Sequence, residues 1–264
     1  MKNSNRIDIC FERLKAENKK ALITFITAGD PDLETTKKLV LKKLENGTDI
    51  IELGVPFSDP IAEGPTIQKA SLRSLKGGTN LDQIFSLVSE LRKETDAPLL
   101  LMMYINTVFR YGTERFFTNC KLNGIDGVII PDLPFEERDE VEALSNEYGV
   151  YNINLVAPTS HDRVRTIASQ SKGFLYCVSS VGVTGTRSSF TTDFDEFFSL
   201  INSSASCPAC VGFGISNPEQ AKKMSQYCDG VIVGSAIVNI VAEYGRDSVD
   251  KVGSFVKDLK SAME

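Results

Sequence analysis

Short apolar runs alternate with longer amphipathic stretches along the whole chain. The runs cover residues 22–27, 50–53, 99–104, 127–130, 151–156, 174–178, 209–213 and 230–233. They are nearly continuous in Ile, Val and Leu, the pattern of parallel strands covered on both faces. Between them the apolar spacing lengthens to three and four residues, which predicts helices over 33–45, 66–75, 81–93, 113–122, 136–148, 162–169, 194–201, 218–226 and, with breaks, 237–263. One more amphipathic stretch, 6–18, predicts a helix ahead of the first strand. Eight strand-then-helix units in a chain of this length are the arithmetic of a (β/α)8 barrel, here with an extra N-terminal helix. An open, doubly wound sheet is the alternative, but eight units of even length close more naturally. No linker, low-complexity block or shift in composition marks a boundary, so residues 1–264 are expected to form a single TIM-barrel domain. A short echo joins the fourth and eighth strands: Ile125-Asp126-Gly127-Val128-Ile129-Ile130 against Cys228-Asp229-Gly230-Val231-Ile232-Val233.

The stretch DIIELGVPFSDPIAEGPTIQ, Asp49 to Gln68, departs from that pattern in a way that suggests chemistry. Period-two alternation puts Glu52 on the strand face opposite Ile51 and Leu53, at the end of a buried strand. A carboxyl desolvated there is pushed toward neutrality, which suits a group that both donates and accepts protons. A Glu at a strand end can equally serve structure, by bonding to neighbouring amides or an Arg. The loop that follows holds Gly54, Pro56, Pro60, Gly64 and Pro65, and it carries a second acid, Glu63. Rigid loops after barrel strands are where such enzymes keep their reactive groups.

The bulk numbers narrow the choice. With 29 basic and 35 acidic residues the net charge is -6, a poor surface for a phosphate backbone. The apolar runs fall short of the roughly 20 residues that span a bilayer, and the polar N-terminus has no signal-peptide core. A soluble, cytoplasmic protein is expected. Six cysteines are scattered; Cys207-Pro208-Ala209-Cys210 matches the spacing of a redox pair or half a zinc site. No second pair follows, and His161 is the one histidine in the chain. His161 itself reads as a solvated residue in the first turn of a helix.

In a barrel, the loops after strands seven and eight are where a phosphate binds. Gly212-Phe213-Gly214-Ile215-Ser216-Asn217 and Val233-Gly234-Ser235-Ala236 have the composition for it, because glycine lets backbone amides approach an oxyanion at a helix N-terminus. The same glycines also serve as ordinary turns. After strand six, Ser179 to Ser189 is long, small and polar, and reads as a mobile lid or a surface loop.

The motifs TFITAGDP, ELGVPFSDPIAEGPTIQ, MMYINTVF, GVIIPDLPFEE, GVTGTR, VGFGIS and VIVGSAIV, in this order, resemble the tryptophan synthase α subunit family. The resemblance covers nearly the whole chain. It implies a (β/α)8 barrel that cleaves indole-3-glycerol phosphate to indole and glyceraldehyde 3-phosphate by a retro-aldol reaction. By motif, Glu52 resembles the family's principal acid/base carboxylate and Glu63 the second one, which polarises the indole N–H. That second position is usually Asp, and the additional methylene moves the carboxylate by about 1 Å unless the backbone retracts. Phe25, Tyr104, Ile129, Tyr176, Thr184 and Phe213 would enclose the indole and glycerol chain, while Gly185, Gly214, Gly234 and Ser235 would bind the phosphate. Asp59 resembles the residue that couples the strand-two loop to the lid through Thr184. Position 180 is Ser where relatives often carry Arg.

The resemblance implies no cofactor in this chain. Pyridoxal phosphate (PLP) is expected in a separate β subunit, in an αββα assembly whose contact face involves Pro56, Asp59, Pro60 and Asn106. Two other readings stay open: a stand-alone indole-3-glycerol phosphate lyase, and a catalytically weak subunit that mainly activates its β partner.

Overall fold

A computed structural model of the chain describes residues 5–178, 194–212 and 214–264. Its strands are β1 (Ala21–Thr27), β2 (Ile50–Gly54), β3 (Leu99–Met102), β4 (Gly127–Ile129), β5 (Tyr151–Ile153), β6 (Leu155–Val156), β7 (Leu175–Val178), β8 (Ala209–Gly212) and β9 (Gly230–Val233). All pair in parallel, in the order β5-β4-β3-β2-β1-β9-β8-β7-β6. The two ends of that order, β5 and β6, are pieces of one expected strand, interrupted only at Asn154, whose carbonyl accepts from the Tyr176 amide at 3.0 Å. The sheet is therefore a closed eight-position barrel.

Alternation within each strand builds two cores. Leu22, Ile26, Ile51, Leu53, Leu99 and Leu101 point outward and pack under the helices, while Ala21, Ile23, Ile50, Leu100, Ile129 and Ile153 fill the barrel interior. This is why β1 and β2 are buried at every residue and read as continuous apolar runs. Glu52 shares the parity of Ile50, so its side chain is committed to the interior.

The outer layer runs α1 (Arg6–Ala16), α2 (Leu33–Glu45), α3 (Pro65–Lys76), α4 (Leu81–Leu91), α5 (Ile105–Tyr111), α6 (Thr113–Asn123), α7 (Asp139–Tyr148), α8 (His161–Gln170), α9 (Phe194–Asn202), α10 (Pro218–Ser225), α11 (Ser235–Tyr244) and α12 (Val249–Met263). Helix α5 is absent from the periodicity, and a short 3-10 turn, Gly245–Ser248, makes the expected break between α11 and α12. Helix α1 closes the N-terminal end of the barrel: Asn5 caps it, and Ile7, Cys10, Phe11 and Leu14 join the interior core, with the Phe11 and Phe174 rings 6.0 Å apart. The helix thus occupies the floor and leaves the C-terminal end for function. Among the described residues no helix is long and apolar enough to cross a membrane.

Candidate functional site

At the C-terminal end of the strands lies a cavity lined by Phe25, Glu52, Glu63, Ile67, Met102, Tyr176, Gly214, Ile215, Ile232, Gly234 and Ser235. Two of its walls are aromatic, and both depend on a missing Cβ. A methyl group on Gly54 would sit 2.4 Å from the Phe25 ring, and one on Gly212 would sit 2.7 Å from the Tyr176 ring. Glycine at those strand ends is what lets each ring lie across its neighbouring strand.

Glu52 has no exposed surface, and neither carboxylate oxygen has a hydrogen-bond partner among the described residues. Burial raises its pKa to about 8, partly offset by the charge of Lys43. A carboxyl in this state holds a proton at neutral pH and releases it with little cost, which fits a group that shuttles one.

Glu63 reaches the same cavity from the loop ahead of α3. Pro65 starts that helix with Gly64 as N-cap, and the Gln68 side-chain amide donates to the Glu63 carbonyl at 2.8 Å, which ties the loop to the first turn. The carboxylate accepts from the Tyr104 hydroxyl, which in turn accepts from the Ala62 amide at 2.8 Å. The Phe57 ring stacks on Tyr104 at 5.0 Å between centroids. Desolvation, with a smaller push from Asp132, raises Glu63 to about 7. Asp132 itself accepts from the Ile105 amide at 2.9 Å, fixing the loop after β4 against α5.

The same cavity is lined by glycines and a helix start. Gly234 is the N-cap of α11 and Ser235 its first residue, so the first amides of the helix have no partner within it and point toward the cavity end of the barrel. Gly214, after β8, holds φ at +90°, a conformation that favours glycine. Among the described residues no lysine or arginine lines the cavity.

The expected site residues thus divide by position. Glu52, Glu63, Phe25, Tyr176, Gly214, Gly234 and Ser235 meet in the cavity. Tyr104 stands at its rim, bonded to Glu63, and Ile129 lies in the apolar interior rather than on the cavity lining. Asp59 is exposed on the loop after β2 and accepts from the Ser58 hydroxyl. Thr184, Gly185 and Phe213, with Ser180 and the rest of the expected lid, lie outside the described residues. Sequence reasoning missed Ile67, Met102, Ile215 and Ile232; Met102 and Ile232 could have been found by strand parity, whereas Ile67 in α3 and Ile215 in the loop after β8 carry no such signal.

The other candidates lie elsewhere. His161 begins α8 and is exposed beside Glu196, 3.3 Å away. Cys210 is fully buried in the barrel interior and Cys207 half-buried just before β8, with burial pushing the Cys207 thiol up to about 12. Among the described residues no group of three or more His, Cys, Asp or Glu side chains could hold a metal ion.

The family model for the tryptophan synthase alpha chain matches residues 11–264. The chain belongs to that family. It is 49% identical over 261 residues to the tryptophan synthase alpha chain of Thermoanaerobacter sp. (strain X514), a match covering 98% of this chain and 100% of the relative. Its fold superposes on the tryptophan synthase alpha chain of Legionella pneumophila with a TM-score of 0.89 at 36% identity, covering 98% of this chain and 97% of the other. A chain of the tryptophan synthase complex from Pyrococcus furiosus gives a TM-score of 0.82 at 35% identity, over 91% of this chain and 98% of that one. As an alpha chain, the barrel falls in a lyase family of tryptophan biosynthesis.

Proposed function

We propose that the cavity cleaves indole-3-glycerol phosphate to indole and D-glyceraldehyde 3-phosphate, as the α subunit of a tryptophan synthase. The observation that carries this reading is the convergence of two carboxyls held near neutrality with a free helix N-terminus on one apolar cavity.

Glu52 delivers a proton to indole C3, making the ring an electron sink, and then accepts the proton of the glycerol hydroxyl on the carbon joined to the ring. As that hydroxyl becomes the aldehyde, the C–C bond breaks and its electron pair returns to the indole. Glu63 faces the indole N–H and stabilises the positive charge that builds there when C3 is protonated. Tyr104 orients Glu63 through their hydrogen bond, which takes up the extra reach of Glu over the usual Asp. Phe25 and Tyr176 flank the ring. Gly214, Gly234 and Ser235 hold the phosphate by backbone amides, with Gly185 and Thr184 joining from the loop after β7 and Phe213 and Ile129 completing the apolar surroundings.

The reading extends to a cytoplasmic, single-domain chain without a cofactor of its own. Its partner is a β subunit that holds PLP and takes up the indole, docked around Pro56, Asp59, Pro60 and Asn106 in an αββα assembly. The test is to follow indole release from indole-3-glycerol phosphate by the purified chain, alone and with a tryptophan synthase β subunit. Slow cleavage that rises on mixing supports the proposal. Full activity alone identifies a stand-alone lyase, and no cleavage with activation of the β subunit identifies a silent activator.

A further inference from the structure

Lys43 lies in the last turn of α2 with no exposed surface. An ammonium in that position is costly unless opposite charge or full hydrogen bonding offsets its lost hydration. Its Nζ makes a long hydrogen bond of 3.4 Å to the Thr24 carbonyl, although an ammonium has three donors. Thr24 is next along β1 to Phe25, and Phe25 is the register partner of Glu52. The Thr24 side chain faces outward, where its hydroxyl meets that of Thr48 at 3.2 Å, whereas Glu52 faces inward. The ammonium and the carboxylate therefore stand on opposite faces of the β1–β2 pair at about the same level.

The charges around Lys43 leave Glu52 as its counterpart. Strand β1 carries no ionisable residue. Asp49, just before β2, is taken by Arg13 at 3.1 Å and Lys260 at 2.6 Å. Of the neighbours on α2 and α12, Lys42 pairs with Glu45 and Asp250. Toward α4, Lys37 pairs with Glu90 and Glu94. Glu52 is also the charge that favours the ammonium form of Lys43, while desolvation lowers that amine to about 7.

We propose that Lys43 is a positioning residue for the proton chemistry, an ammonium held behind the barrel wall that balances Glu52 through the β1–β2 pair whenever the carboxyl ionises. With a dry, weakly polarisable wall between them, the attraction is not screened as it would be in water. The pair is electrically neutral both as carboxylate with ammonium and as acid with amine, so the interior need not hold a net charge in either state. The inference rests on the acid/base reading of Glu52.

Lys43→Met keeps the volume and removes the charge, a change that an apolar site tolerates. Carbon-13 NMR of the glutamate side chains in the full chain, with the Glu52 signal assigned by its loss in Glu52→Gln, reads the carboxyl directly. In Lys43→Met the Glu52 titration is expected to move up by about one pH unit, a tenfold gain in proton affinity, and the alkaline limb of kcat/KM, where Glu52 loses the proton it must deliver, moves up with it. A folded Lys43→Met chain whose Glu52 titrates as in the wild type overturns the proposal. The reciprocal measurement needs no change at Lys43: nitrogen-15 NMR of its amine should show the titration falling in Glu52→Gln, and an unmoved amine overturns the proposal equally. Undiminished cleavage by Glu52→Gln would instead remove the catalytic reading and leave the coupling to be judged by the two titrations.

Discussion

The two rims of the barrel use carboxylates in opposite ways. At the N-terminal rim, aspartates stand immediately before strands and accept from the backbone of the neighbouring strand, two of them from cationic side chains as well. Asp49 accepts from the Leu22 amide at 2.9 Å as well as from Arg13 and Lys260. Asp126 accepts from the Leu99 amide at 2.9 Å, from Arg92 at 2.5 Å and from Arg6 at 3.0 Å. Asp229 accepts from the Ala209 amide at 2.9 Å. Each bridges its own strand to the neighbour, so the charge helps hold the barrel in register. At the C-terminal rim two polar side chains facing the interior are left wanting: both oxygens of Glu52, and the buried Thr27 hydroxyl at the end of β1, lack partners among the described residues. A carboxylate whose lone pairs are filled is committed to structure. One whose lone pairs are empty is available to a substrate, at some cost to the fold.

The sharpest way to break this contrast is to neutralise one acid from each rim. Glu52→Gln is expected to lower the rate of indole-3-glycerol phosphate cleavage by about a hundredfold to ten-thousandfold, with thermal unfolding unchanged or slightly later, since no bond is lost. A large fall in stability would place Glu52 with the structural acids. Asp126→Ala should do the reverse. It takes the carboxylate from the largely buried Arg92 guanidinium and strands the Leu99 amide, and is expected to cost about 3–5 kcal/mol in denaturant unfolding, while the turnover of the folded fraction stays near wild type.

A further test concerns pH. Glu52 and Glu63 have folded pKa values of about 8 and about 7, above the ordinary value of 4.5. From 4.5 upward the native state holds protons that the unfolded chain has released, so these groups make stability fall as pH rises to about 7 for Glu63 and about 8 for Glu52. Lys43, lowered from 10.5 to about 7, acts oppositely and makes stability rise between those values. A melting-temperature profile should therefore dip near pH 7 to 8, and the falling limb should be shallower in Glu52→Gln. A flat profile in both proteins would count against the elevated acids.

Much of this contrast is legible in the chain. The eight apolar runs carry the barrel because parallel strands buried on both faces cannot be written in polar residues. The echo at Asp126-Gly127 and Asp229-Gly230 becomes intelligible as two copies of one strand-bridging device. Glu52 is readable from strand parity alone, and Glu63 becomes a candidate through the loop that carries it. Helix α5 is hidden because Ile105–Tyr111 is one short segment with a single fully buried residue, Val108, too little to set a period. Lys43 escapes for a different reason. It continues the buried stripe of Leu39 and Val40, but a lysine at that place reads as solvated surface until the packing shows otherwise. The aromatic walls depend on Gly54 and Gly212, whose role is to be absent from a space that only the folded barrel defines.

Helix α1 has one last consequence for traffic through the molecule. With Phe11 and Leu14 wedged into the foot of the barrel and Ile50, Leu100 and Ile129 stacked above them, the described residues fill that end with apolar side chains. Whatever is made beside Glu52 has its doorway toward the other end, where the cavity lies. A neighbouring protein seated over that doorway would become the first thing a departing product meets.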